Sequence, residues 1–531
     1  MNNNVLFLLI FLFPHFIQAQ TGAGTLDQTF NNNGIVIQNI NFANSQFDHI
    51  KVLDDGKILA LGTTISTSGT PGAILIRYNP DGSIDPTFAL NGVYDSRNSS
   101  LSYAVRPTDF LVLNDGKILI IMDVAWSNNI AFFRLLPNGK HDPSYGAYGK
   151  LIVPIPLYSP YPERFRLLND GKLVLAGTYT DLSLGGIGAG FFSRILPDGT
   201  LDSLFGVNGI VKIQTPLNNQ NFTLNDMIIQ EDGKMVFTGN LAISSNYDEW
   251  YIGRLLEDGT YDNSFGGDGL INMDLGNNFE SPLKVKQLQS GNLLIAGYAS
   301  KLPGYHFTML QFFPDGTLNS FFGLGGKSQV SFNCCYSAIY DVAEQPDGKL
   351  IACGYSSDDN DKLFFSIARF RPNGIIDQTF GDAGKVPLEI EKDSSQIAHS
   401  VALQQDGKIL VAGALLDGLT ATSAVLVRLN ASGVSATSNI PRLDEPTISV
   451  SPNPFLGNTI TISYGLYEDG KISIHIYDLF GRKLSTPIVN AWRSGGEQKD
   501  EFEFPQNLPT GQYLIRVESE HGAQTIKVIK S

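Results

Sequence analysis

Asp55-Gly56-Lys57-Ile58-Leu59-Ala60-Leu61-Gly62 is the stretch that decides the fold. An acidic residue, a glycine and a lysine make a tight turn, and the run behind it is apolar until a second glycine closes it. The turn glycine recurs at Gly116, Gly171, Gly233, Gly291, Gly348 and Gly407, at intervals of 55 to 62 residues. The closing glycine recurs six residues later at Gly177, Gly239, Gly297, Gly354 and Gly413, with Met122 as the exception. A period of that length, filled with strand-like patterning, predicts a radial array of β-sheets.

One unit reads outward from this turn. A short strand around Ile50 and Val52 leads into it, and Ile58–Thr63 leaves it. A third strand, Ala73–Tyr78, runs into Asn79-Pro80-Asp81-Gly82, whose Pro and Gly suit successive turn positions. Ile84-Asp85-Pro86-Thr87-Phe88 and a turn at Gly92 precede a fourth strand. Four strands without helical periodicity are the content of one propeller blade. The unit resembles the delta-60 repeat, an NHL-like propeller repeat of bacterial secreted proteins. The resemblance rests on residues 55–62 and on Arg77-Tyr-Asn-Pro-Asp-Gly-Ser-Ile-Asp-Pro-Thr-Phe88, and spans about residues 24–433.

The array is out of phase with itself. The last copy stops at Gly433 without a Leu-Asp-x-x-Phe segment or fourth strand, and both are found at the other end, in Leu26-Asp27-Gln28-Thr29-Phe30 and Gly34-Ile35-Val36-Ile37. The expected fold is therefore all-β, a seven-bladed propeller over residues 20–433 closed by its N-terminal strand. Arg stands five residues before the second turn glycine at Arg77, Arg134, Arg194, Arg254, Arg369 and Arg428, and Asp three after it at Asp85, Asp142, Asp202, Asp262 and Asp377. The fifth copy has Gln311 and Asn319 instead, so both charges are lost together, as paired groups require. The seventh has Arg428 but Ala436, which predicts that Asp27 completes the pair as a structural clasp.

Composition bounds the rest. The chain has 531 residues, 42% of them hydrophobic, and a net charge of −15, which argues against a nucleic-acid partner. Residues 1–19 read as a signal peptide, with a nine-residue apolar run at Val5–Phe13 and a small residue at Ala19, although no Lys or Arg precedes the run. No other segment has the length or apolarity of a transmembrane span. Three cysteines do not make a disulfide scaffold. Cys353 reads as a core residue, with a bridge to Cys334 or Cys335 left open.

Residues 434–446 read as a linker, and residues 447–531 as a small β-sandwich with strands near Ile448–Val450, Thr459–Tyr464, Lys471–Tyr477, Gln512–Val517 and Thr525–Ile529. This part is similar to the type A sorting domain of the type IX secretion system. The motif residues are Pro452, Asn453 and Pro454, then Gly481 and Arg482, Gly511 and Tyr513, and Lys527 and Lys530. The resemblance implies a partner, the type IX export machinery of Bacteroidetes, and a secreted or surface location reached through the periplasm.

Seven residues before the turn glycines stand His49, Asp109, Arg164, Asp226, Lys284, Asp341 and Ser400, all polar, on the strand that would line the channel. They are the candidate ligand-binding rim for an extracellular glycan or protein. The turn from Asp81 to Asp85 offers two carboxylates, too few for calcium, so no metal or other cofactor is expected. No catalytic motif surrounds His49, His141, His306, His399 or His475. A monomeric, non-catalytic binding or adhesion scaffold is the first expectation, and a polysaccharide lyase or hydrolase with its site at the channel mouth is the alternative.

Overall fold

The computed structural model describes residues 22–39, 44–66, 69–98, 105–124, 127–216, 220–244, 247–276, 280–301, 304–332, 336–418, 420–431, 448–455, 457, 459–466, 470–478, 482–494, 496–506, 508–519 and 522–531. The signal peptide, the linker, Cys334, Cys335 and Gly481 lie outside them.

Among the described residues between 35 and 429, seven four-stranded antiparallel sheets follow one another. Sheet 1 comprises Asn44–Val52, Ile58–Ile65, Pro71–Tyr78 and Val93–Asp95. The inner strands of sheets 2 to 6 are Val105–Val112, Tyr158–Leu167, Phe222–Ile229, Glu280–Gln287 and Ser337–Glu344. Sheet 7 takes three strands from Ser395–Leu403, Ile409–Asp417 and Thr420–Leu429, and its fourth is Ile35–Gln38, paired antiparallel with the last of these.

The second strands are apolar throughout because both their faces are covered. Leu59 and Leu61 point into a core shared with sheet 2, whereas Ile58 and Ala60 enter one shared with sheet 7. Further cores join sheets 2 to 3, 3 to 4, 4 to 5, 5 to 6 and 6 to 7. Every sheet thus packs on two neighbours, which is the arrangement of a β-propeller. Buried, free Cys353 lies in the core between sheets 6 and 7.

Each inner strand carries a register shift that skips one residue, between Phe47 and His49 in sheet 1 and at the equivalent place in the other six, and that of sheet 3 has a second between Tyr158 and Tyr161. The closing glycine faces this bulge. A Cβ on Gly62 would lie 1.8 Å from the Gln46 carbonyl oxygen, and one on Gly354 1.8 Å from that of Ala338. Glycine gives the bulge room in six sheets, and in sheet 2 the same bulge forms opposite Met122; in each the bulge turns one extra side chain toward the channel.

The repeat also departs from its own pattern. The fifth turn is Ser290-Gly291-Asn292, not Asp-Gly-Lys. In the C-terminal part, sheets of three and four strands share one core around Ile460, Ile474 and Ile515. Two of their strands, Lys483–Arg493 and Gly496–Glu503, were not expected from the sequence. They lack a clean apolar alternation, and the second reads Gly-Glu-Gln-Lys-Asp-Glu-Phe-Glu, so pairing with apolar strands overrides weak local propensity.

Candidate functional site

The Asp-Gly turns lie at one end of the sheets, and the loops joining second to third strands and one sheet to the next lie at the other. Around the channel the structure brings the seven polar residues into one ring. Arg164 pairs with Asp226 at 2.9 Å, Lys284 lies 3.6 Å from Asp226 and 3.2 Å from Asp341, and Ser400 donates to Asp341 at 3.1 Å. Arg166, outside the sequence-derived set, pairs with Asp109 at 2.8 Å. His49 Nε2 is 2.8 Å from the Thr108 carbonyl oxygen.

The acceptors in this ring also reach across sheets. Asp226 accepts from the Val285 amide at 3.0 Å, Asp341 from Val401 at 3.0 Å, and the Ser400 hydroxyl from Ile50 at 3.3 Å. Burial alone would raise the Asp226 carboxyl, but Lys284 and Arg164 hold it below the usual range. Burial, reinforced by Arg164, pushes His49 below its ordinary value. Three carboxylates therefore face three cations around a neutral imidazole.

The bulges place a second ring toward the loop end: Asp48, Thr108, Glu163, Asn225, Leu283, Tyr340 and His399. Asp48 is held by Gln46 at 2.5 Å and Thr63 at 3.2 Å, and His399 Nδ1 is 3.0 Å from the Phe47 carbonyl oxygen. Glu163 is different. Burial, with Asp226 adding to it against the pull of Arg164, raises its carboxyl to about 7. Sequence reading missed this ring because a period-two strand assigns only alternate residues to a face, and a bulge breaks that rule. The closing glycine was the available signal.

Beside Tyr340 stands a tyrosine cluster built by sheets 5 and 6. Tyr298 and Tyr305 have ring centroids 4.7 Å apart, Tyr305 and Tyr336 4.9 Å, and Tyr340 and Tyr355 5.8 Å. The Tyr305 and Tyr355 hydroxyls are 2.8 Å apart, and Tyr340 meets the His399 ring at 5.6 Å. Tyr336 is 37% exposed, and across the channel Tyr161 is 39% exposed. Burial pushes the Tyr340 phenol up to about 12, so it stays neutral and can donate a hydrogen bond.

At the turn end, Arg428 Nε lies 2.7 Å from Asp27 Oδ2, and Lys408 Nζ 2.6 Å from the same oxygen. The same three-part contact occurs in sheet 1, where Asp85 meets Arg77 at 2.7 Å and Lys57 at 2.9 Å. The turn lysine is the member that sequence reading missed. Asp81 accepts from the amide and hydroxyl of Ser83 within its own turn. Among the described residues no group of three or more His, Cys, Asp or Glu could hold a metal ion.

In the C-terminal part, Asn453 accepts from the Ile529 amide at 2.9 Å and donates to the Lys527 carbonyl at 3.0 Å. Lys530 donates to the Leu508 carbonyl at 2.9 Å, and Tyr513 to that of Pro509 at 2.6 Å. Pro452 and Pro454 flank Asn453, Gly511 opens the strand that carries Tyr513, and Arg482 pairs with Asp478 at 3.0 Å. The segments of Asn453, of Gly511 and Tyr513, and of Lys527 and Lys530 thus meet as one folded end, while Arg482 pairs within its own turn. Among the described residues no helix is long and apolar enough to cross a membrane.

This is an all-β chain of propeller sheets that carries a C-terminal export signal. Residues 53–88, 168–205, 230–265, 345–380 and 404–434 match the family model described as a domain of unknown function (DUF5122) beta-propeller. Residues 449–531 match the secretion system C-terminal sorting domain, which marks the protein for type IX export to the cell surface or beyond. No curated protein matches the chain.

Among solved structures, a protein of unknown function from Dyadobacter fermentans is 11% identical, with a TM-score of 0.40 over 75% of this chain and 100% of its own. An ulvan lyase of a polysaccharide lyase family is 11% identical, with a TM-score of 0.42 over 78% and 96%. A Trypanosoma rangeli sialidase is 10% identical, with a TM-score of 0.37 over 91% and 84%. Likenesses this distant carry no argument about activity.

Proposed function

We propose that this exported propeller is a binding scaffold for an extracellular glycan, with its site at the loop-end mouth of the channel. The observation that carries the reading is the tyrosine cluster around Tyr340. A sugar ring has an apolar face of C–H groups and a rim of hydroxyls, and a tyrosine offers a flat ring with a hydroxyl at its edge. Asp48, Asn225 and His399 stand on the same ring of bulges and supply polar groups for orientation. The inner ring of His49, Asp109, Arg164, Asp226, Lys284, Asp341 and Ser400 then serves as the floor, since its groups are largely satisfied by one another.

A second reading, a polysaccharide-degrading enzyme at the same mouth, is supported by Glu163, whose carboxyl titrates near neutrality as a general acid or base requires. The test is a glycan array on the mature full chain, followed by chromatography of the bound glycans after prolonged incubation. Retention of intact glycan supports the scaffold, and shortened or unsaturated products support the enzyme. No binding to any glycan would remove both readings.

A further inference from the structure

The fifth repeat has lost every charged member of the turn-end contact. Asn292, Gln311 and Asn319 replace the lysine, arginine and aspartate, and Gln311 Oε1 accepts from Asn292 at 3.0 Å and from Asn319 at 2.5 Å. The next position has changed too. Two residues after the aspartate the other copies have Thr29, Thr87, Ser144, Leu204, Ser264 and Thr379, whereas the fifth has Phe321.

In sheet 1, Arg77 stacks on Phe88 at 4.7 Å and donates to Thr87 at 3.1 Å, so the turn is sealed from within. In sheet 5 Gln311 stands in that arginine's place, and residues of the C-terminal sorting domain contact the segment that follows the turn. The Arg516 guanidinium donates through Nη1 to the Ser320 carbonyl and through Nη2 to that of Gly323 at 3.0 Å, and it lies 5.9 Å from the Phe321 ring centre. Phe321 meets Tyr477 of the same domain edge to face at 5.0 Å. Arg516 is 2% exposed and has Glu518 at 3.7 Å. A planar guanidinium suits two neighbouring carbonyls, and burying it demands such partners. Leu204, the apolar residue at this position in sheet 3, is by contrast 81% exposed.

We propose that the fifth repeat is a docking seat for the sorting domain of this same chain, held by Arg516 on the Ser320 and Gly323 carbonyls and by Tyr477 on Phe321. The export signal is then held at a fixed place on the turn end, and the loop-end mouth stays open.

Hydrogen–deuterium exchange on the full-length protein tests this. Arg516→Ala should speed exchange several-fold in residues 317–326, with residues 83–92 of sheet 1 unchanged. Phe321→Thr, which restores the side chain of other repeats, should speed exchange in residues 470–478 and 511–519 although it lies in the other unit. The second variant keeps the test decisive if loss of Arg516 unfolds the sorting domain itself. Exchange in 470–478 and 511–519 that is the same in Phe321→Thr as in the unaltered chain would overturn the proposal.

Discussion

Arg428 and Asp27, 401 positions apart in the chain, form an ion pair of 2.7 Å in which both side chains are about 95% buried. Arg428 also stacks on Phe30 at 4.6 Å and donates to the Pro80 carbonyl of sheet 1. One guanidinium therefore joins the last repeat, the N-terminal segment and the first sheet. Removing Asp27 strands the buried guanidinium, and removing Arg428 leaves Asp27 to Lys408 alone and the Phe30 and Pro80 contacts unmade, so Asp27→Ala and Arg428→Ala should each lower stability by about 3–5 kcal/mol in urea unfolding.

The fifth repeat shows that a neutral set can occupy this place. Combining Asp27→Asn, Arg428→Gln and Lys408→Asn should therefore cost less than Arg428→Ala alone. Urea midpoints of the two variants decide it, and equal or greater loss in the triple variant would count against a charge-matching origin for the pattern.

Acid should open the clasp over a defined window. Burial would raise the Asp27 carboxyl, but hydrogen bonds from Lys408 and Thr29, with Arg428, hold it at about 2, below its ordinary 3.8. A depressed carboxylate contributes stability above its unfolded value, and this is lost as pH falls toward its folded one. Stability measured from pH 5 to pH 2 should fall below about pH 4, and less steeply in the neutral triple variant.

Glu163 has the opposite sign. Its folded value near 7 exceeds the ordinary 4.5, so its ionisation opposes folding and stability is lost as pH rises from about 4.5 to about 7. Glu163→Gln should raise stability at pH 8 by about 1–3 kcal/mol and change little at pH 4. Melting temperatures of both proteins at the two pH values provide the comparison.

The repeat, the strand order and the exchange of the N-terminal strand were legible because the turn chemistry is local. Gly56, Pro80 and Gly82 mark turns wherever the chain needs them, and Asp27 was found by asking what Arg428 lacked. The mouth was not legible. Tyr298, Tyr305, Tyr336, Tyr340 and Tyr355 lie on four strands and one loop and converge only after bulges and loops are set. The neutral residues of the fifth copy were visible, but not that Arg516, nearly two hundred positions on, reaches the Ser320 and Gly323 carbonyls beside them.

The closing glycines give the bulge a direct test. Gly62→Ala puts a methyl 1.8 Å from the Gln46 carbonyl oxygen, so the inner strand must move. The cost should exceed about 3 kcal/mol, at the upper end for a single methyl.

The central claim is that the tyrosine mouth holds a glycan, and calorimetric titration of the best array ligand into the full chain and Tyr340→Ala tests it most directly. Loss of one stacked ring should weaken binding roughly tenfold, about 1.4 kcal/mol. Equal affinity in the two proteins would contradict the account.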